Sequence, residues 1–569
     1  MKHRPGQFRR AVCWLAAGLM AASLVSCRVR RPLGSDRYVG PVRAPVGVPA
    51  ARDRKAAGAV PGGPIKAAAK AATDAAKAEP AAAKPPASPV PAKGPLAISI
   101  DQAVVMAMEN NPELAVERLN PAILETYTEE ERALFDPVLR GTIGNERIKG
   151  ERLRGRATRE DFATESLVGE AALETLLPTG TNVALEASTQ VDDETTEMQL
   201  IRSRVRLTVT QALLRGAGTR ANLARVRQAR LDMLGSEYEL RGFAEALVAL
   251  VELTYHDYVL AQRKIDIYTR SIALSEETHN GIQKRVKAGT LPTSALTAAE
   301  AETALRRQNM VDARGDRAKA QVVLFQLISP RGANQRHRDI RAVDGLVMPH
   351  VQLDDVEAHI QVALRMRPDL NQARLQVERG DLQIVKTRNG LLPRLDLFVA
   401  LGKTGYAETF GGSWKGVKGD GYGFLVGLSV EYPVGNREAR ARHKRAVLGR
   451  RQAEEAVRNF EQLVQADVQT AYIEVNRARE KVAAIGTTRR LDEEKLRVES
   501  EEFVHGRASS FQVARAQRDL VRRQIAEVEA IADHLKALVE LYRLEGSLLE
   551  RRGIEAPGGE PAEPKRGLP

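Results

Sequence analysis

LVALVELTYHDYVLAQRKIDIYTRSI, residues 247–272, decides the architecture. Within it Leu247, Val251, Thr254, Tyr258, Ala261, Ile265, Tyr268 and Ile272 alternate spacings of four and three. That is a coiled-coil seam, in which one stripe of a helix faces a partner helix. Ala453, Val457, Phe460, Val464, Val468, Ala471, Val475, Ala478, Val482 and Ile485 make a second seam. No proline interrupts residues 217–287 or 437–505. Roughly 70 residues at ~1.5 Å each form a rod on the order of 100 Å long. A globular domain cannot enclose such a rod, so it must cross a wide aqueous space such as a periplasm.

Each rod ends at a glycine. The first break reads Gly289-Thr290-Leu291-Pro292-Thr293-Ser294 and the second Gly506-Arg507-Ala508-Ser509-Ser510. Glycine tolerates the positive φ that follows a helix end, Thr or Ser caps the next helix, and Pro292 suits an early helical position. A returning helix follows, with Val521, Ile525, Val528, Ile531, Leu535, Leu538 and Tyr542 at coiled-coil spacing.

Other segments alternate with period two. Leu395, Leu397, Val399 and Leu401 form one apolar face; Tyr422, Phe424, Val426, Leu428, Val430 and Tyr432 another; Val205, Leu207 and Val209 a third. About ten residues with one apolar face is the pattern of a transmembrane β-strand. Tyr422 and Tyr432 suit the two aromatic girdles, and segments 191–201 and 403–420 read as loops. Two more alternating runs, 166–177 and 181–189, flank Pro178-Thr179-Gly180. The first half therefore holds either two membrane strands or four.

The N-terminus reads as a secretory signal. Arg9 and Arg10 precede the apolar run Ala11–Val25, which is too short to span a bilayer comfortably. It ends in Leu24-Val25-Ser26-Cys27, a bacterial lipobox that predicts acylation of Cys27 after cleavage. The only other cysteine, Cys13, lies within the signal, so the mature chain forms no internal disulfide. Residues 27–95 are rich in Pro, Ala, Gly and Lys and read as a disordered tether; 552–569 reads as a disordered tail.

Aromatic residues are 4% and charged residues 28% of the chain, a mixture suited to long helices packed through small side chains. The net charge of +13 comes with Arg and Glu alternating along helices, which describes wetted faces and argues against nucleic acid. The nine His show no metal-ligand spacing, Ser509-Ser510 has no accompanying His/Asp pattern, and the Gly-rich stretch 411–423 lacks a following Lys-Ser/Thr. No metal, cofactor or catalytic site is expected. An internal duplication places Pro112 and Pro137 at the same separation as Pro368 and Pro393.

Together these features resemble the TolC-like outer-membrane efflux protein family over residues 96–551. The sharpest matches are Asn111-Pro112, Gln211-Ala212-Leu213-Leu214-Arg215-Gly216, and the ungapped tips GTLPTSALTAAE (289–300) and GRASSFQVARAQ (506–517). The resemblance implies a mainly α fold with a membrane β-barrel. Duplicated helix–strand–long-helix repeats (96–330 and 353–551, joined by a linker at 331–352) would build a trimeric α-barrel and a shared β-barrel. It implies a non-enzymatic export duct for efflux or type I secretion, a lipoprotein of the outer membrane with a long periplasmic portion. The tips Gly289, Thr290, Pro292, Thr293, Leu296, Gly506, Ser510 and Val513 would meet a periplasmic adaptor coupled to an inner-membrane pump. Relatives place acidic gate residues where this chain has Gln512 and Arg515, so the entrance here would be uncharged or basic if Arg515 faces the lumen. Alternatively, Arg515 faces outward and pairs with an acid. A periplasmic coiled-coil adaptor is the competing reading, but it would lack membrane-type strands and usually has one hairpin. The cargo is not legible.

Overall fold

The structure, a computed structural model, describes residues 95–154, 158–194, 200–328, 338–349 and 353–562, all within the unit Val90–Pro569. The expected signal at 1–26, Cys27 and the tether up to residue 94 lie outside the described residues.

The first half opens with β1 (Leu96–Ile98), α1 (Ile100–Asn110), α2 (Pro112–Glu117) and α3 (Leu119–Arg132). Four strands follow: β2 (Val138–Arg154), β3 (Thr158–Leu176), β4 (Thr181–Glu194) and β5 (Leu200–Ala212). After the short α4 (Thr219–Asn222) come the rod α5 (Ala224–Lys287) and its return α6 (Thr293–Ile328). The second half runs β6 (Ile340–Ala342), α7 (Val356–Met366), α8 (Pro368–Asn389), β7 (Arg394–Ala407), α9 (Phe410–Gly416) and β8 (Tyr422–Glu431). It ends with the rod α10 (Arg437–Val504), its return α11 (Ser510–Glu545) and the single turn α12 (Leu548–Arg551).

The two rods have 64 and 68 residues, about 100 Å each at ~1.5 Å per residue. Their seams carry the packing. Val251 and Tyr258 in α5, and Val464, Val468, Val475 and Ala478 in α10, are wholly inaccessible. The first rod starts seven residues later than its proline-free run allows, because Gly216 and Gly218 adopt φ of 87° and 84° and break the chain there. Asn111 explains the Asn-Pro opening: its Oδ1 accepts from the amides of Glu113 and Leu114 (2.9 and 3.1 Å), capping α2, while its Nδ2 donates to the Leu327 carbonyl (3.1 Å). Pro112 and Pro368 both occupy the first helical turn, where a missing amide costs nothing.

Six strands form one antiparallel sheet in the order β2-β3-β4-β5-β7-β8. The first half thus contributes four of them. Among the described residues, the segments expected as loops at 191–201 and 403–420 hold regular structure: β4 runs to Glu194, β5 starts at Leu200, β7 runs to Ala407, and α9 follows. Pairing of Ile201–Arg206 with Gly402–Ala407 carries the ladder past the end of the apolar alternation, since backbone hydrogen bonds do not require apolar side chains. The expected linker holds β6, which pairs in parallel with β1. The expected tail is ordered through Ala562: the Tyr238 hydroxyl donates to the Glu560 carbonyl (2.6 Å), and the Ala562 amide donates to Asn371 Oδ1 (3.3 Å).

Candidate functional site: a membrane-type sheet and paired helical tips

One hydrogen-bonded row crosses the whole sheet through Leu139, Leu173, Leu185, Leu207, Leu401 and Phe424. All six are exposed, from 38% at Leu207 to 77% at Leu139. The adjacent row toward the helices adds Val183, Val209, Val399 and Val426 on the same face. The opposite face is polar: Arg140, Glu186 and Arg206 lie in one row, with Glu170 and Arg204 in the next. Arg204 Nε donates to Thr404 (3.4 Å), Arg202 to Gln190, and Asn182 to Glu174 (2.8 Å). Period two sends each set to its own side. A wall with one side suited to hydrocarbon and the other to water results. Strands β2 and β8 are its two edges.

The tips repeat one geometry. Gly289 and Gly506 have φ of 74° and 75°. The Gly289 amide donates to Val286 (3.0 Å) and Thr290 to Arg285 (2.9 Å); Gly506 donates to Phe503 (3.1 Å) and Arg507 to Glu502 (2.8 Å). These bonds satisfy the last carbonyls of each rod. Ser509 then caps α11 in a box with Gln512, whose Oε1 accepts from the Ser509 amide at 2.7 Å. Gln512 is therefore engaged by the cap. Gly289, Thr290, Pro292, Thr293 and Gly506 are exposed, Leu296 and Ser510 are half-buried, and Val513 is buried. Arg515 is exposed and has no ion pair or hydrogen bond among the described residues.

Sequence reading missed what holds the two hairpins together. Arg306 of α6 is 3% exposed. It donates to the Ser271 carbonyl on α5 (2.8 Å) and to Gln517 Oε1 on α11 (3.2 Å). Gln517 donates onward to Thr278 (3.1 Å), and Arg518 pairs with Glu302 at 3.1 Å. Polar positions inside an otherwise apolar seam were the available signal.

Nearer the middle of the first rod, buried charges fix the C-terminal segment. Arg552 pairs with the fully buried Glu252 through Nε and Nη2 (2.6 and 2.8 Å), and His359 Nδ1 pairs with the buried Glu545. Arg241 lies between Glu245 (3.3 Å) and Glu550. Burial pushes the Glu245 carboxyl up to about 8, against the opposing pull of Arg241. Burial, reinforced by Lys536 and Arg552, pushes His256 down to about 4. Among the described residues no group of His, Cys, Asp or Glu is placed to hold a metal, and no helix is long and apolar enough to cross a membrane.

A six-stranded wall with one apolar face, joined to two rods that turn back at glycine tips, is the fold of outer-membrane channels. It is similar to the Campylobacter jejuni channel CmeC (14% identity, TM-score 0.57, covering 82% of this chain and 87% of that one). It is likewise similar to the Vibrio cholerae outer membrane protein VceC (13%, 0.58, 79% and 96%) and to the open state of the Neisseria gonorrhoeae channel MtrE (17%, 0.56, 79% and 89%). Residues 359–547 match the outer membrane efflux protein family. No curated protein matches the sequence.

Proposed function

We propose that three copies of this chain form an export duct through the outer membrane. The row from Leu139 to Phe424 carries this reading. A sheet with that face in lipid cannot leave β2 and β8 open, because unpaired backbone groups in hydrocarbon each cost several kcal/mol. Pairing β8 of one copy with β2 of the next removes both edges. Three six-stranded sheets then close a barrel of eighteen strands, wider than the simple family pattern implies, since diameter grows with strand number. The polar face carrying Arg204 and Arg206 lines it. The rods continue the duct across the periplasm, the glycine tips dock a periplasmic adaptor coupled to an inner-membrane pump, and Arg515 lines the entrance. Acylation at Cys27 tethers the chain to the same membrane; labelled palmitate then enters the wild type and not Cys27→Ala. An adaptor has no use for a wall of this kind, so the duct is the better reading.

Native mass spectrometry of the detergent-extracted protein, with conductance in planar bilayers, tests the proposal. A trimer that conducts is expected. A monomer, or a trimer without conductance, overturns it.

A further inference from the structure

The connection between β7 and β8 does not leave the sheet for water. It folds sideways, and α9 lies against the apolar face. Ser413, at the middle of α9, is fully buried with its Oγ 2.7 Å from that of Ser203, which lies 3.0 Å from Thr189 Oγ1. Ser203 pairs in register with Gly405, and a Cβ at Gly405 would stand 2.1 Å from the Ser413 carbonyl oxygen. The helix therefore rests on bare backbone. Ser203 and Gly405 share the face of the leucine row, four residues farther toward the outer loops, or about 13 Å along the strand. Lys403 and Tyr422, paired with each other, lie in the row between.

We propose that α9 is an interfacial anchor, seated in the outer leaflet at the depth of the lipid headgroups. The inference rests on the leucine row facing lipid. Phe410 is 60% exposed and meets Trp414 edge-on at 6.4 Å. Such a pair of rings belongs at the boundary between acyl chains and headgroups. Lys415 and Lys418 are exposed beside them and can reach phosphates, while Glu408 and Asp420 lie just outside the helix. The Lys403 stem leaves the apolar row, and its Nζ donates to the Gly419 carbonyl at 3.0 Å, as a snorkelling lysine would. The occupant is lipid because the patch continues the leucine row. It also sits over β5 and β7 and covers neither open edge, so closure by further copies leaves it bare.

The test uses tryptophan emission. The chain has two tryptophans, and Trp14 lies in the expected signal, so Trp414 is the sole reporter in the mature protein. The protein is reconstituted in phosphatidylethanolamine/phosphatidylglycerol vesicles carrying bromines either high or low on the acyl chain. For a segment buried ~5–10 Å into the interface, shallow bromines lower the emission roughly twofold, and deep bromines and aqueous iodide far less. Adding Trp414→Phe removes the signal. Quenching by iodide with none by shallow bromines, or strongest quenching by deep bromines, overturns the inference. Flotation of the same vesicles separates the two readings. Protein that fails to float sinks the membrane sheet itself, whereas protein that floats without shallow quenching sinks only the anchor.

Discussion

The guanidinium of Arg285, in the last turn of α5, lies 4.4 Å from the ring centroid of Phe503, in the last turn of α10, and Nη1 donates to the Phe503 carbonyl at 3.3 Å. This contact joins the two tips. An exposed cation–π contact contributes about 0.5–1 kcal/mol. A double-mutant cycle of Arg285→Ala and Phe503→Ala, read by hydrogen exchange of the Gly289 and Gly506 amides, should show a coupling of about that size. Purely additive effects would mean that the tips open independently.

Proline at either tip glycine should abolish export while leaving the assembly intact. It cannot adopt φ near 74° or 75°, and it removes the amide that donates to Val286 or Phe503. Gly289→Ala and Gly506→Ala keep the amide and should cost about 1–2 kcal/mol locally. The measurement is cargo efflux alongside oligomer mass. Normal efflux with both prolines in place would show that the tips do not dock the adaptor.

Arg306→Met should loosen the two hairpins from each other. It removes the donations to Ser271 and Gln517 and one partner of Glu302, although Arg518 still holds that carboxylate. The expected loss is about 1.5–3 kcal/mol, the range for hydrogen bonds to charged groups. Faster exchange along Thr293–Glu302 and α11 below Gln517 would report it. Unchanged protection there would mean that the apolar seams alone hold the hairpins.

His256 should make the middle of the first rod acid-sensitive. Its folded pKa of about 4 lies below the ordinary value of 6.5. Between those values the unfolded chain binds the proton and the folded chain does not. Stability is therefore fully present above 6.5 and lost as pH falls toward 4, on the order of 3 kcal/mol per chain. Glu245 acts in the opposite direction over a higher window: its pKa of about 8 against 4.5 makes its contribution fall as pH rises between them. Denaturant titrations of wild type and His256→Gln at several pH values separate the two. Equal slopes below 6.5 would remove His256 from the account.

A basic entrance should resist block by multivalent cations. Arg515 is exposed and unpaired among the described residues, and three guanidinium groups around one axis would repel a trivalent cation within a Debye length of about 8 Å. Arg515→Asp should create strong block in single-channel recordings. Strong block of the unmodified channel that survives the substitution would place Arg515 outside the lumen.

Local periodicity settled much of this protein before any tertiary contact. The stripe from Leu247 to Ile272 and that from Ala453 to Ile485 define the rods, Gly289 and Gly506 end them, and Asn111-Pro112 opens a helix, because each depends on neighbours a few residues away. The alternation at 166–177 and 181–189 already hinted at extra strands, yet period two says nothing about which strand pairs with which. Only the tertiary structure placed Leu139, Leu173, Leu185, Leu207, Leu401 and Phe424 in a single row, since the register of Leu207 against Leu401, far apart in the chain, is fixed by long-range pairing. It also decided that 410–416 folds back onto the sheet, which required Gly405 and Ser203 to meet across two strands. The joining of Arg306 to Gln517, of Arg285 to Phe503 and of Arg552 to Glu252 was likewise beyond the sequence. Charged residues on a helix look the same in a sequence whether they face water or a partner helix, and only the packing of the two hairpins buries some of them.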